Sequence, residues 1–188
     1  TPSQIDRFVE KALRKDEVWC QLFSEPSAGS DAAAVKTRAT RVDGGWKITG
    51  QKVWTSGAHY CQRGLATVRT DFDVPKHAGI TMVILDMKAP GVEVRPLRQI
   101  TGGSDFNEVF FDEVFVPDED VVGEPNAGWA VARATLGNER VSIGGGGGGI
   151  APASAWLMHL AQTRGDAVIG AVSRVGRFLA EDHALRLL

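Results

Sequence analysis

The chain has 188 residues and a mass of 20.2 kDa, enough for one domain or one and a half at the usual size of about 100–200 residues each. A net charge of −2 and a pI near 6.1 leave no basic surplus for a phosphate backbone or an anionic lipid surface, so nucleic acid is excluded as a first choice of partner. Hydrophobic residues at 43% and charged ones at 23% predict a soluble globular protein, and no apolar run approaches the roughly 20 residues of a membrane span.

In chain order, residues 3–14 are predicted as a short helix capped by Ser3, with Ile5, Phe8, Val9 and Ala12 on one face. The N-terminal stretch TPSQIDRFVEKALRKDEV, which starts without Met, lacks the charged, apolar and small-residue succession of a signal peptide and reads as the start of a fragment. From Val18 to Val122 the chain alternates β-branched or aromatic runs with turn signals: VWCQLFS, AVKTRATRV, GWKITGQKVW, GLATVRT, GITMVILD, GVEVRPL and NEVFFDEVFVP. Asp43-Gly44-Gly45 predicts a hairpin turn and Ala89-Pro90-Gly91 a second break. Seven or eight short antiparallel strands of this kind predict a barrel or sandwich, and the alternating pattern of a doubly wound sheet is absent.

Beyond Pro125 the period becomes helical. Trp129, Ala132, Leu136 and Ile143 share one face, and Val168, Val172, Val175 and Leu179 another, which predicts antiparallel helices over 126–162 and 166–188 joined by Thr163-Arg164-Gly165-Asp166. Two helices have too little surface to bury both apolar faces, so further helical partners are expected. The fold class is therefore α+β: an antiparallel β-barrel or sandwich of about seven or eight strands followed by two long helices of an incomplete bundle. The expected domains are 1–17, 18–124 and 125–188.

Glycine is in excess, with 22 residues where average usage of about 7% would give about 13, and Gly144–Gly149 form a run. The run satisfies the dinucleotide template G-x-G-x-x-G, as any six glycines do, but lacks the strand–turn–helix context that gives the template its meaning. It reads as a linker, or as a helical stretch in close backbone contact at a cost of about 1 kcal/mol per glycine relative to alanine. The run is expected to be among the least ordered parts of the helical region. Cys20 and Cys61 form neither a zinc motif nor a disulfide framework, which fits a reducing, cytoplasmic compartment. His59, His77, His159 and His183 show no ligand spacing, so no metal site is expected. No nucleophile motif is present.

Three segments can carry chemistry. Glu25-Pro26-Ser27-Ala28-Gly29-Ser30-Asp31 offers small residues with N–H and hydroxyl donors that suit an anion or a carbonyl-rich ligand, and equally a plain surface turn. Trp54-Thr55-Ser56-Gly57 sets an aromatic plane beside two hydroxyls, a lining for a flat heteroaromatic ligand or a core Trp at a strand end. Asn138-Glu139-Arg140 places a carboxylate and a guanidinium at successive helix positions, where a solvated helix face is the alternative.

Taken together and in order, these segments resemble the acyl-CoA dehydrogenase family. The carrying residues are WCQLFSEPSAGSD at 19–31, DGGWKITGQKVWTSGAHY at 43–60, APGVEVRPLRQITG at 89–102, FNEVFFDEVFVP at 106–117 and GWAVARATLGNERVSIGGG at 128–146. The resemblance implies an N-terminal helical domain, a middle β-barrel and a C-terminal four-helix domain, assembled as tetramers or dimers with FAD. This chain matches the end of the first, the whole of the second and the first two helices of the third. It further implies that Gln21, Leu22, Phe23 and Ser24 lie against the flavin, that Trp54, Thr55 and Ser56 form a second flavin-contacting strand, that Ser30 holds the pantetheine of the substrate, and that Arg140 contacts the CoA. Ser27 departs from the glycine that commonly follows the Glu-Pro pair.

The implied activity is α,β-dehydrogenation of an acyl-CoA, in fatty acid or other lipid metabolism, with electrons passed to an electron-transferring flavoprotein. In most members the base lies on a later helix; in a subset similar to isovaleryl- and long-chain enzymes it occupies the position of Glu139, which makes Glu139 the candidate general base. Such a protein is expected to act as a homotetramer, a homodimer or a heteromer with a homologue, and the fragment alone is expected to be inactive. Alternatives are a flavin monooxygenase or oxidase on the same fold and a non-catalytic partner subunit.

Overall fold

The computed structural model describes residues 1–144, 153–164 and 171–186. They divide into two units, Thr1–Asn138 and Glu139–Leu188. The first opens with three consecutive helical pieces: α1 (Pro2–Gln4), a π-helical turn (Ile5–Val9) and α2 (Glu10–Arg14). The predicted helix is thus present, but its cap is Thr1, which forms a reciprocal capping box with Gln4, because Ser3 already lies inside the first turn. Of the predicted apolar face only Phe8 is buried, edge-on to Trp19 at 5.5 Å, while Ile5 and Val9 stay exposed. Lys15, at φ 62, ends the helix in the left-handed region.

Eight strands follow: β1 (Trp19–Leu22), β2 (Arg38–Val42), β3 (Gly45–Ser56), β4 (Arg63–Arg69), β5 (Ile80–Asp86), β6 (Val92–Leu97), β7 (Phe106–Pro117) and β8 (Val121–Val122). They form one sheet in the order β6-β7-β3-β2-β4-β5-β8, with β1 added to β4. Pairing is antiparallel except for β1 with β4 and the single Arg38–Arg69 bridge of β2 with β4. β5 and β7, distant in that order, approach one another, so the sheet curls around a core of Leu22, Ile48, Ala66, Val68, Val83, Leu85, Val109 and Val114. The hairpin at Asp43-Gly44 forms as the sequence predicts: Val42 pairs with Gly45, and Gly44 supplies φ +72. The edge strand β6 carries Glu93, Arg95 and Pro96, residues that discourage pairing with another chain.

One predicted strand is shortened. AVKTRATRV pairs only from Arg38, because the N–H groups of Lys36 and Thr37 donate to the Glu25 carboxylate instead of to a ladder. The helix expected from residue 126 begins later, as α3 (Gly128–Gly144), since Asn126 sits at φ +67 with its N–H on the Thr81 hydroxyl. Within the first unit Trp129, Ala132 and Leu136 of α3 pack on Phe23 and Met82. A Cβ on Gly128 would lie 2.5 Å from the Met82 nitrogen, so only glycine lets α3 approach β5 this closely.

In the second unit α4 (Ala153–Arg164) and α5 (Ala171–Arg186) pack against each other. Residues 145–152, with most of the glycine run and its expected disorder, lie outside the described residues, as do Gly165 and Asp166 of the expected interhelical turn, whereas Thr163 and Arg164 of that turn belong to α4. No helix among the described residues is long and apolar enough to cross a membrane.

Candidate functional site

The end of β1 and the end of β3 meet in the first unit. Strand β1 alternates, with Cys20 and Leu22 inward and Gln21 outward, and the chain continues through buried Phe23 to half-buried Ser24. The Val53 N–H donates to the Ser24 carbonyl at 2.9 Å, which brings the segments Gln21–Ser24 and Trp54–Ser56 together. Leu22 and Phe23 turn their side chains into the core, so what they offer a ligand is backbone.

Strand β3 reaches this point through an irregularity. The β3–β7 register shifts between Lys52 and Thr55, Lys52 and Val53 are both buried, and Trp54 takes φ 61. A positive φ at so bulky a residue costs on the order of 1–3 kcal/mol and is retained where surrounding structure imposes it. The bulge turns the indole outward, 63% exposed and edge-on to Phe106 at 6.2 Å. Thr55 then points inward, its Oγ1 buried without a hydrogen-bond partner, while its carbonyl accepts from the Asn107 amide at 2.9 Å. Ser56 is exposed, and Gly57, at φ +64, donates to the Asp105 carbonyl. An exposed indole and two serine hydroxyls stand at adjoining strand ends, a lining that suits a flat, polar-edged ring, with the unpartnered Thr55 hydroxyl buried beside them.

Beneath the lining lies a buried ion pair. Lys52 has no exposed surface, and its Nζ donates to Glu25 Oε1 at 2.8 Å, to the Phe23 carbonyl at 3.2 Å and to Thr67 Oγ1 at 3.3 Å. Burial pulls the ammonium down to about 8 against the opposing attraction of Glu25, which leaves it charged at neutral pH. Burial would raise the Glu25 carboxyl, but Lys52 together with the donors of Lys36 and Thr37 outweighs it and holds the group below the usual carboxylate range. A lowered folded-state value means stability that is present above the unfolded value near 4.5 and is lost as pH falls through the folded one. The acid limb of thermal stability against pH is accordingly expected to be shallower in Glu25→Gln than in the parent; an unchanged limb contradicts this coupling.

Glu25 also opens the loop that carries Ser30. Glu25 and Ala28 exchange two backbone hydrogen bonds of 3.0 Å, so the tight turn forms with serine at position 27. Ser30 is exposed beyond it, and Asp31 pairs with Lys76 at 2.7 Å. Arg69, buried at 5% exposure, donates to the carbonyls of Ala33, Val35 and Lys76. Glu139 and Arg140 belong to the second unit, exposed at successive positions of α3. His59 meets Asn107 at 3.3 Å and His77 stacks near Trp129, and among the described residues no histidine, cysteine or acidic cluster can hold a metal. Cys20 and Cys61 are buried free thiols.

The sequence reading missed Lys52, Thr67, Arg69 and Asn107. The one available signal was a lysine or arginine inside an otherwise apolar strand, which in a folded protein needs a partner.

A family model described as the acyl-CoA dehydrogenase middle domain matches residues 20–114. The acyl-CoA dehydrogenase FadE34 of Mycobacterium tuberculosis is 61% identical over 146 residues, 78% of this chain and 20% of that protein. A solved structure described as the Tcur3481-Tcur3483 steroid ACAD superposes with a TM-score of 0.89 at 31% identity, covering 100% of this chain and 49% of that one. The ChsE4-ChsE5 complex of Mycobacterium tuberculosis superposes with a TM-score of 0.69 at 34% identity over 75% of this chain and 36% of that one. The chain thus spans between a fifth and a half of the relatives it matches.

Proposed function

Since the chain belongs to the acyl-CoA dehydrogenase family, we propose that the natural protein carrying it is an FAD-dependent enzyme that removes hydrogen from Cα and Cβ of an acyl-CoA thioester. The observation that supports this most is the meeting of two strand ends, one of which carries the exposed Trp54 indole and, next to it, the buried and unpartnered Thr55 hydroxyl. These residues fit a flavin: Ser24, Thr55 and Ser56 provide hydroxyls for its polar edge, Trp54 provides a plane, and Leu22 and Phe23 make the floor dry. Bound FAD supplies a flat acceptor for the β-hydride.

The chain's own residues supply the rest of the chemistry. Ser30, on the loop anchored by Glu25, holds the pantetheine arm, Arg140 binds the CoA portion, and Glu139 takes the α-proton. Electrons leave to an electron-transferring flavoprotein. Residues 1–17 end a helical domain, 18–124 form the barrel domain and 125–188 begin a helical bundle that further helices complete. A steroid-linked acyl group is the favoured substrate class, because a solved structure that matches over the whole chain is described as a steroid ACAD.

An anaerobic titration of the natural protein with fatty and steroid acyl-CoA thioesters tests this reading. Bleaching of the flavin by a steroid acyl-CoA supports it, and a flavin that no acyl-CoA reduces overturns it. A second reading, a non-catalytic subunit paired with an active homologue, is favoured by the similarity to a complex of two named components; failure of the assembled protein to bind FAD is its signature.

Thr55→Val separates the two states of the site. Loss of a buried, unpartnered hydroxyl is expected to leave the FAD-free protein as stable as before or more so by up to about 1 kcal/mol. The same change is expected to weaken FAD binding by about 5–10-fold, the value of one ordinary hydrogen bond. Equal FAD affinity in a titration of the two apoproteins contradicts the assignment.

A further inference from the structure

We propose that the buried Lys52–Glu25 pair is a positioning device that locks the cofactor-side strand end to the loop carrying Ser30, so that FAD binding and the order of that loop depend on one another. The inference rests on the flavin reading above and goes beyond it, because neither residue is among those the resemblance assigns to flavin or substrate.

The geometry is that of a junction. The Nζ of Lys52 divides its donors between the Phe23 carbonyl on one side and Glu25 on the other, with Thr67 of β4 as the third acceptor. The Glu25 carboxylate receives the N–H groups of Lys36 at 2.6 Å and Thr37 at 3.0 Å, closing the loop back upon its own first residue. One residue beyond Lys52, the Val53 N–H holds the Ser24 carbonyl, and the next residue is Trp54. A single ammonium therefore anchors the segment just before Ser24, the bulge that presents Trp54 and Thr55, and the loop bearing Ser30.

A pair that served stability alone would be replaceable. Exchanging both members of a buried ion pair for neutral residues of similar size commonly restores stability, whereas removing one leaves an unpaired charge. That difference separates positioning from mere packing. The natural protein is compared with Lys52→Met, Glu25→Gln, the double variant and the milder Glu25→Asp. The melting temperature of the apoprotein, the dissociation constant of FAD from flavin fluorescence, and amide exchange over residues 26–37 are measured for each.

The expected result is that both charge-removing single variants melt lower, that the double variant recovers most of the lost melting temperature, and that its FAD dissociation constant stays at least 10-fold above the parent with faster exchange in 26–37. Glu25→Asp, which keeps both charges but withdraws the carboxylate by one methylene, is expected to bind FAD at least 3-fold more weakly. The proposal is overturned if FAD affinity recovers together with stability in the double variant, or if exchange in the loop is unaltered in every variant. Should charge removal prevent folding, unchanged FAD affinity in Glu25→Asp overturns it equally. Failure of the unsubstituted protein to bind FAD overturns the flavin reading itself, a distinct outcome.

Discussion

Glu139→Gln in the natural protein is expected to slow acyl-CoA-dependent bleaching of the flavin by about 10²–10⁴-fold, the usual contribution of a positioned general base. The amide has the size of the carboxylate but cannot accept the α-proton, so the loss falls on the chemical step and corresponds to about 3–5 kcal/mol of barrier. FAD content is expected to be unchanged, because the hydroxyls and the indole proposed to hold the flavin lie on β3 and after β1, whereas Glu139 is an exposed residue of α3. Rapid-mixing absorbance under anaerobic conditions measures the rate. A rate within a few-fold of the parent places the base outside this chain, on a later helix as in most of the family, and leaves Glu139 with a surface role.

How much of this was legible beforehand depends on how far each feature reaches along the chain. The Asp43-Gly44 turn and the β-branched runs on either side of it are local, and they form as the sequence predicts. The helix of residues 2–14 is also local, but its cap is displaced to Thr1, a choice between neighbouring hydroxyls that Gln4 decides by completing the capping box. AVKTRATRV fails as a full strand for a reason that no window contains: the first donors of that strand are claimed by Glu25, more than ten residues upstream. Lys52 and Glu25 are likewise 27 residues apart, and only the barrel brings them within 2.8 Å.

The site divides in the same way. The order of the motifs made the resemblance visible, and with it the residues at the two strand ends. Periodicity alone gave no sign that Trp54 would leave the strand geometry at φ 61 or that Thr55 would be buried with an idle hydroxyl. Both follow from the bulge opposite β7, which exists only once β3 and β7 have paired. The buried charges were invisible for the opposite reason: their residue types predict exposure, and their burial is tolerable only because each meets a partner contributed by another element.

Arg69→Met is the second large effect expected. The Arg69 guanidinium donates 3.1 Å to the Val35 carbonyl and 2.6 Å each to those of Lys76 and Ala33, and its own N–H donates to the Thr37 carbonyl at 2.7 Å. Among the described residues no carboxylate hydrogen-bonds to it, so its stabilising role is to satisfy carbonyls of the loop after Ser30 and of the loop between β4 and β5. Methionine fills a similar volume and keeps the backbone bond to Thr37, but satisfies none of the three carbonyls that the guanidinium serves. Each carbonyl left buried and unpaired costs about 1–3 kcal/mol, but the loops can swing out to water, which limits the total to roughly 3–4 kcal/mol, or a fall in melting temperature of about 6–16 °C. Arg69→Lys, which retains one charged donor centre in place of the planar fork, is expected to recover only part of the loss. Because residues 33–37 are anchored here and by Glu25, proteolysis or amide exchange within residues 31–37 should quicken in Arg69→Met before the barrel strands respond. A variant that melts within 2 °C of the parent, with exchange in the loop unaltered, would mean that the carbonyls find other donors and that Arg69 does not hold the loop.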